Sequence, residues 1–427
     1  MVLEMLMESV FLVVDIFFVG RLGPEAVATV GITESLMVMI YAVAIGLAIG
    51  ASAVVARRIG EKDPDAAAHA ATQAIVFGLA VGALIGAVGA TFAPQLLAIM
   101  GAEDRVIATG SGFARVMLGG SGAVLLLFLI NAVFRGAGDA AIAMRVLWFA
   151  NAINIGLGPC LIFGLGPFPE LGVLGAGIAT TIGRSCGVLY QVYHLARPGS
   201  RLHIRPAHLR LDLPVMKNIL NIAGTAMFQN FVATASWAAL VRIIAGFGSA
   251  AVAGNTIGIR IIVFALLPSF GVSNAAATLV GQNLGAGRPD RAEAAAWTAG
   301  RYNTICLGSV GALFLLFAPQ LIAIFTSDSE VARYAVRSLR IIAAGFLFYG
   351  YGMVLTAAFN GAGDTRTPTL INLVCLWMWE IPLAWALAGP FGFGPTGVFI
   401  AVSVAFTTLT FISAWLFSRG TWKAQRV

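Results

Sequence analysis

Charge is what this sequence has least of. Asp, Glu, Lys and Arg make up 11% of its 427 residues, where a soluble domain carries about 25%. So few ionic side chains cannot cover a water-facing surface, which excludes an ordinary soluble globule and leaves lipid as the main solvent. Histidine and cysteine are scarce too, at four of each. The histidines form no HExxH or paired motif. Cys160, Cys186, Cys306 and Cys375 lie in apolar segments without metal-ligand or disulfide spacing and read as small core residues. No metal and no cofactor are expected, and without a nucleophile–base pair the chain does not read as an enzyme. A formal net charge of +7 would suggest nucleic acid in a soluble chain. Here the basic residues gather in particular loops and read as topology signals, so no nucleic-acid partner is expected. The first segment is too polar at its start for a cleavable signal peptide and is expected to be the first span.

What is present is apolar sequence in long runs. Hydrophobic residues make up 59% of the chain, the mean hydropathy is +0.91, and many runs exceed the roughly 20 residues that a helix needs to cross a bilayer. In lipid only helices or closed barrels satisfy the backbone. The runs lack a period of two, so helices are expected. Polar breaks place spans at 1–20, 26–56, 69–93, 105–134, 140–164 and 171–196, then at 213–245, 249–281, 294–325, 331–359, 366–389 and 395–418.

The two sets of six are copies. Phe92-Ala93-Pro94-Gln95-Leu96-Leu97-Ala98-Ile99 returns as Phe317-Ala318-Pro319-Gln320-Leu321-Ile322-Ala323-Ile324, and Phe134-Arg135-Gly136-Ala137-Gly138-Asp139 returns as Phe359-Asn360-Gly361-Ala362-Gly363-Asp364. Gly60, Pro64 and Asp65 return as Gly285, Pro289 and Asp290, Gly23 as Gly248, and Gly172-Val173 is matched to Gly397-Val398, always 225 residues on. One shared offset is the mark of duplication. The expected fold is therefore an all-α membrane protein with twelve transmembrane helices in two pseudo-symmetric six-helix lobes, related as parallel repeats. The N-terminal lobe is 1–196, a cytoplasmic linker 197–212, and the C-terminal lobe 213–427. Under the offset, residue 1 corresponds to Ala226 whereas span seven begins near Leu213, so the first helix is expected to be truncated at its start.

Lys and Arg set the orientation. Arg57, Arg58, Lys62, Arg135, Arg145, the linker Arg197–Pro214, Arg288, Arg291, Arg366 and the C-terminal tail are rich in basic residues, while the opposite loops hold Arg21, Arg105, Arg333 and Arg337. The expectation is a multi-pass protein of the inner membrane, monomeric, with both termini cytoplasmic.

Ionisable groups within spans are costly, at roughly 2.5–3.5 kcal/mol on insertion scales, and tend to be functional. Span one carries Glu4, Glu8 and Asp15, whose spacing returns to nearly one helix face. Glu4, near an end, suits snorkelling or a structural pairing. Asp15 sits among Val13-Val14 and Ile16-Phe17-Phe18 and is the leading functional candidate, with Glu8 next. Glu34 in span two and Glu380 in span eleven are secondary candidates, each as readily a satisfied structural acid. Asn151 and Asn154 are one turn apart in span five, suited to a cation or to a helix bridge. Phe228, Gln229, Phe264, Tyr349, Tyr351 and Met353 are candidate substrate contacts between the lobes, because aromatics and methionine offer adaptable apolar and cation–π surface; core packing or lipid contact is the plain alternative. Gly392-Phe393-Gly394-Pro395-Thr396-Gly397 matches GxGxxG in letters only, since it joins two membrane helices without a preceding strand. The two Gly-Ala-Gly-Asp stretches read as tight turns with an Asp helix cap.

These stretches, in this order, resemble the MATE (multidrug and toxic compound extrusion) family over nearly the whole length. The carrying motifs are Val14-Asp15-Ile16-Phe17-Phe18-Val19-Gly20-Arg21-Leu22-Gly23, Arg57-Arg58-Ile59-Gly60-Glu61, both Gly-Ala-Gly-Asp motifs, Leu171-Gly172-Val173-Leu174-Gly175-Ala176-Gly177-Ile178-Ala179-Thr180 and Gly281-Gln282-Asn283-Leu284-Gly285. The resemblance implies two six-helix lobes in a V around a cavity, and export of drugs, toxic organic cations or metabolites by alternating access, driven by inward protons or sodium. It implies that Asp15 is the first-helix carboxylate that binds the coupling cation, with Asn154 and Thr180 near it. Two departures matter. Where proton-coupled members often read Asn-x-x-Leu-Asp-Pro, this chain has Asn154-Ile155-Gly156-Leu157-Gly158-Pro159, and span seven lacks the glutamate frequent in sodium-coupled members. Protons are thus favoured over sodium, with Glu8 as a candidate for the missing carboxylate. The rivals are a major-facilitator-type transporter, whose loop signature Arg57–Asp65 does not fit, and a flippase for lipid-linked saccharides, which would need a basic patch for pyrophosphate.

Overall fold

The computed structural model of the chain describes residues 3–4, 7, 14, 17–425 and 427. Asp15 and Glu8 lie outside the described residues. Every long element among the described residues is a helix. The first half contains α1 (Pro24–Gly60), α2 (Pro64–Ile99), α3 (Asp104–Gly119), α4 (Ser121–Gly136), α5 (Ala140–Phe163) and α6 (Val173–Ala196). The second contains α7 (Leu213–Ala245), α8 (Ser249–Gly285), α9 (Pro289–Ala323), α10 (Ser329–Ala344), α11 (Phe346–Gly361), α12 (Arg366–Asn372), a π-helical segment Leu373–Glu380, α13 (Ile381–Ala388) and α14 (Pro395–Ser418).

Nine helices among the described residues are long and apolar enough to span a membrane, and ten when α10 and α11, bent by 60°, count as one. The 24-residue α6 is long enough as well, and carries Arg184, Gln191 and His194. With the first segment, this agrees with the twelve helices expected. The longest helices overshoot the bilayer. α1 has 37 residues, about 55 Å at 1.5 Å per residue against a hydrocarbon core of about 30 Å.

The helix starts follow the sequence signals. Asp63 accepts a bond from the Ala66 backbone N–H at 2.8 Å ahead of Pro64. Asp139 caps α5 through the Ile142 N–H at 3.4 Å, and Asp364 accepts from the Thr367 N–H at 3.2 Å. The glycines before these last two, Gly138 and Gly363, have φ of 83° and 85°, so both Gly-Ala-Gly-Asp stretches are capped turns. The repeat extends to the backbone: Lys62 adopts φ 62° where its counterpart Gly287 has φ 69°. One match requires correction. The residue with the conformation of Gly172 (φ 56°, ψ −133°) is Gly394 (φ 58°, ψ −144°), not Gly397. Gly397 instead matches Gly175, since a Cβ at either would strike the preceding helix, at Leu387 or Leu161. The loop before α14 has lost three residues relative to its copy, which a constant offset hides.

The described residues form two compact units that divide between Ala223 and Gly224, inside α7. In the first, the linker and the residue before α7 are fastened to α2. Gln73 Nε2 donates to the Arg210 carbonyl at 2.8 Å, its Oε1 accepts from the Asp212 N–H at 3.0 Å, and His69 Nε2 lies 3.3 Å from Asp212 Oδ2. In the second, the Trp422 ring stacks on Phe417 at 4.4 Å and its Nε1 donates to the Phe417 carbonyl at 2.8 Å. Beside it, Lys423 Nζ lies 2.6 Å from Glu293 Oε2, and this hydrogen bond holds its ammonium above the usual lysine range. A raised lysine value stabilises the docked tail below the unfolded value of about 10.4 and is lost as pH rises through the folded one. The tail contact is therefore intact at neutral pH.

Helices in lipid gain little by hiding apolar surface from one another, so close backbone approach between small residues carries their association. The duplicated glycines serve this. A Cβ at Gly136 would lie 2.8 Å from the Ser52 carbonyl of α1. At Gly361, its copy, a Cβ would strike the Ala277 carbonyl of α8, and Ala277 is the copy of Ser52. We expect Gly136→Ala and Gly361→Ala each to destabilise the fold by about 1–3 kcal/mol through overpacking, read as a lowered midpoint of thermal unfolding in detergent.

Candidate functional site

Of the residues singled out in the first half, Asn151, Asn154 and Thr180 lie on α5 and α6. Asn154 Nδ2 donates to Thr180 Oγ1 at 2.8 Å, and the two residues are 6% and 5% exposed. Gly183 makes this possible, for a Cβ there would lie 2.6 Å from the Ala150 carbonyl and 3.4 Å from Asn154 Cβ. One turn earlier, Asn151 is also buried, with Nδ2 3.5 Å from the Met7 carbonyl, which brings the first segment to α5. A Cβ at Gly158 would meet nothing within 4 Å, although Gly158 itself is buried. Among the described residues nothing fills this position, where the resemblance implies an acid and this chain has a glycine.

Glu4 is paired. Its Oε1 lies 2.6 Å from Arg135 Nη1, with the side chains 1% and 12% exposed. Removing one partner of such a buried pair typically costs about 3–5 kcal/mol, so the contact anchors the first segment to α4. The repeat replaces this pair by two amides. Gln229 and Asn360, the counterparts of Glu4 and Arg135, are buried, and their Oε1 and Oδ1 have no hydrogen-bond partner among the described residues. Glu34 is exposed on α1.

The remaining candidates lie in the second unit and do not gather into one cluster. Phe228 and Phe264 are half or more exposed, at 51% and 54%, whereas Met353 is buried in the core. Tyr349 packs on Phe406 at 4.4 Å, and Tyr351 faces Trp297 at 6.0 Å while its ring fills the space beside Gly300. Glu380 is 1% exposed at the end of the π-helical segment, with Oε2 2.8 Å from Ser236 Oγ of α7. Sequence reasoning passed over Ser236. A serine in an apolar span carries no motif, and its partner stands 144 residues away.

Among the described residues, no group of three or more His, Cys, Asp or Glu is placed to hold a metal. The polar groups of the first unit are amides and hydroxyls arranged around a helix pair, suited to hydrogen-bonding a carboxyl group or ligating a small cation. Thr180→Val should leave the buried Asn154 amide without its acceptor and cost about 1–3 kcal/mol. Thr180→Ser should keep the bond and stay near wild type. Gly158→Ala, on a helical backbone with no described atom within 4 Å of the new Cβ, should stabilise by about 0.5–1 kcal/mol. Thermal unfolding in detergent reads all three.

Known proteins support the same assignment. The MatE family profile matches residues 1–160 and 225–386. A probable multidrug resistance protein NorM of Thermotoga maritima is 26% identical over 99% of this chain and 91% of its own length. A FAD transporter of Shewanella oneidensis is 25% identical over 92% of this chain and 87% of its own length. A solved MATE structure in a straight conformation superimposes with a TM-score of 0.92 at 25% identity, covering 99% of this chain and 94% of the other. A transporter of the MOP superfamily from Pyrococcus furiosus, described as having a binding pocket of reverse polarity, gives 0.91 at 25% identity over 100% and 94%. The duplicated helical halves, the capped Gly-Ala-Gly-Asp turns and these matches together establish a multi-pass membrane protein that belongs to the MatE (MATE) family of transporters and is not an enzyme.

Proposed function

We propose that this chain is a cation-coupled antiporter that exports drugs, toxic organic cations or related amphipathic molecules by alternating access, with protons favoured over sodium as the coupling ion. The observation that carries the coupling is the buried Asn154–Thr180 hydrogen bond on α5 and α6. Both residues correspond to those the family resemblance groups around the first-helix carboxylate, here Asp15. Relatives named as multidrug proteins, such as that of T. maritima and the multidrug export protein MepA of Staphylococcus aureus, 23% identical over 88% of this chain, support the substrate class. Exposed Phe228 and Phe264 are better placed than buried Met353 to meet a substrate. The membrane is the inner membrane, with both termini cytoplasmic, on the strength of the loop Lys and Arg. The missing acids at Gly158 and in span seven favour protons, taken up at Asp15 with Glu8 as the candidate for the missing carboxylate.

The energetics suffice. One pH unit supplies about 1.36 kcal/mol per proton and 100 mV about 2.3 kcal/mol per charge. Together they sustain a roughly 500-fold ratio of an uncharged substrate for one proton, whereas for a monovalent cation the two charge movements cancel and the pH term alone sustains about 10-fold. Burial disfavours the charged form of a carboxyl group, so a carboxyl in this setting can take a proton from the outer side and release it inside. Asp15→Asn fixes the neutral form. It should reach the membrane normally and lose uphill export, measured as efflux of a fluorescent organic cation from vesicles with an imposed pH gradient and again with a sodium gradient. Gradient-dependent efflux by the variant at the wild-type rate would overturn the role of Asp15. Export of a nucleotide cofactor such as FAD in place of cations would replace the substrate class and leave the coupling reading intact.

A further inference from the structure

The second unit holds a buried acid that the coupling site above does not use. Glu380 closes the π-helical segment Leu373–Glu380 inside the span Arg366–Ala388 and is 1% exposed. π turns inside a helix widen the backbone ladder and often accompany functional sites. Trp377 Nε1 donates to the Val232 carbonyl at 2.9 Å, which ties the segment to α7. On α7, Ser236 Oγ lies 2.8 Å from Glu380 Oε2 and 3.3 Å from the Leu376 carbonyl, while Glu380 Oε1 has no hydrogen-bond partner among the described residues.

The proton count in this triad is informative. A serine hydroxyl has one proton and can also accept, and the Leu376 carbonyl can only accept. If Ser236 donates to Glu380, the carbonyl receives nothing from the hydroxyl, and an anion at 1% exposure rests on one hydrogen bond with its other oxygen bare. If Glu380 carries a proton, its O–H donates to Ser236 Oγ and Ser236 donates to the Leu376 carbonyl. Each proton is then used once and both short contacts are hydrogen bonds. Among the described residues, the other titratable groups that feel the charge of Glu380 are the Tyr349 hydroxyl on α11 and the Cys375 thiol on its own helix. α7 contributes Ser236, and α14 contributes the Phe406 ring packed on Tyr349. Among the described residues no basic side chain pairs with Glu380.

The place of the acid in the repeat adds a second argument. Trp379, its neighbour, is the counterpart of Asn154 at the offset of 225. Each unit thus carries a buried polar pair at the same level of its fifth helix. The first uses an amide bonded to Thr180, and the second a carboxyl bonded to Ser236. We infer that Glu380, positioned by Ser236, is a second proton-binding site, held in the C-terminal unit and exchanged during transport. On release, the proton passes from Glu380 Oε2 to water, and the Ser236 hydroxyl turns its own proton from the Leu376 carbonyl to the carboxylate. The freed carbonyl lies within the π-helical segment, so proton loss reaches the helix backbone. Ser236 is a positioning residue in this scheme.

The inference rests on the proton-coupled reading and is tested apart from it. Infrared spectra of the purified full chain in lipid report protonated carboxyl groups directly. The wild type should show a protonated-carboxyl band at neutral pH that fades reversibly at alkaline pH. The band should be lost in Glu380→Gln and kept in Asp15→Asn. Ser236→Ala should move it and Ser236→Thr should restore it. Should Glu380→Gln fail to fold, Glu380→Asp should retain the band at a shifted frequency. In proteoliposomes, Glu380→Gln should transport with one proton fewer per substrate than the wild type. A band unchanged in Glu380→Gln, a band that never titrates, or an unchanged proton ratio would overturn the second site. Uphill export by Asp15→Asn would instead overturn the coupling reading above and leave the Glu380 spectrum as it is.

Discussion

A chain solvated by lipid has no water within reach to satisfy a stray polar group, and this constraint shapes every part of the molecule. Backbone groups are satisfied within helices, so the helices must be long and must associate through their backbones. At Gly136 against Ser52, and at Gly361 against Ala277, the missing Cβ is what lets the fourth helix of each set lie on the second. The same contact kept in both copies shows the duplication more directly than the motif letters do. The few polar side chains left inside have to be paired, and the pairs divide into those that fasten the fold and those that are free to do chemistry.

Glu4 with Arg135 and Gln73 with the linker fasten. The pair of Asn154 and Thr180 is different, because an amide donating to a hydroxyl leaves the hydroxyl proton available to a further group. Glu380 with Ser236 is different in the same way, since among the described residues one carboxyl oxygen has no hydrogen-bond partner. The two halves began as copies and have diverged at these positions, while the helix crossings between them and their neighbours were kept. Divergence of polar residues on a conserved frame is how a symmetric scaffold acquires unequal sites.

Much of the frame was legible in the sequence. Long apolar runs give helices, and the two Gly-Ala-Gly-Asp stretches give capped turns, because the signal for each is local. The match of Gly172 to Gly397 failed because three residues are missing from the loop before Pro395, and a fixed offset cannot register a deletion. The break between α10 and α11 at Gly345, bent by 60°, was invisible in a run read as the single span 331–359. Ser236 was missed because a polar contact between helices far apart in the chain leaves no periodic trace. Met353 and Tyr349 look like cavity residues in composition alone, and packing decides otherwise for Met353, which the core buries.

The central claim is that buried carboxyl groups exchange protons against an exported organic molecule. The most direct measurement runs the cycle in reverse. Purified protein in liposomes with a pH-sensitive dye inside, and with no pH or sodium gradient, is given a gradient of an organic cation that it exports. The account expects substrate flow to drive protons the opposite way, without dependence on sodium and with loss of the signal in Asp15→Asn. Substrate flow without proton movement, or counterflow that requires sodium, would contradict it.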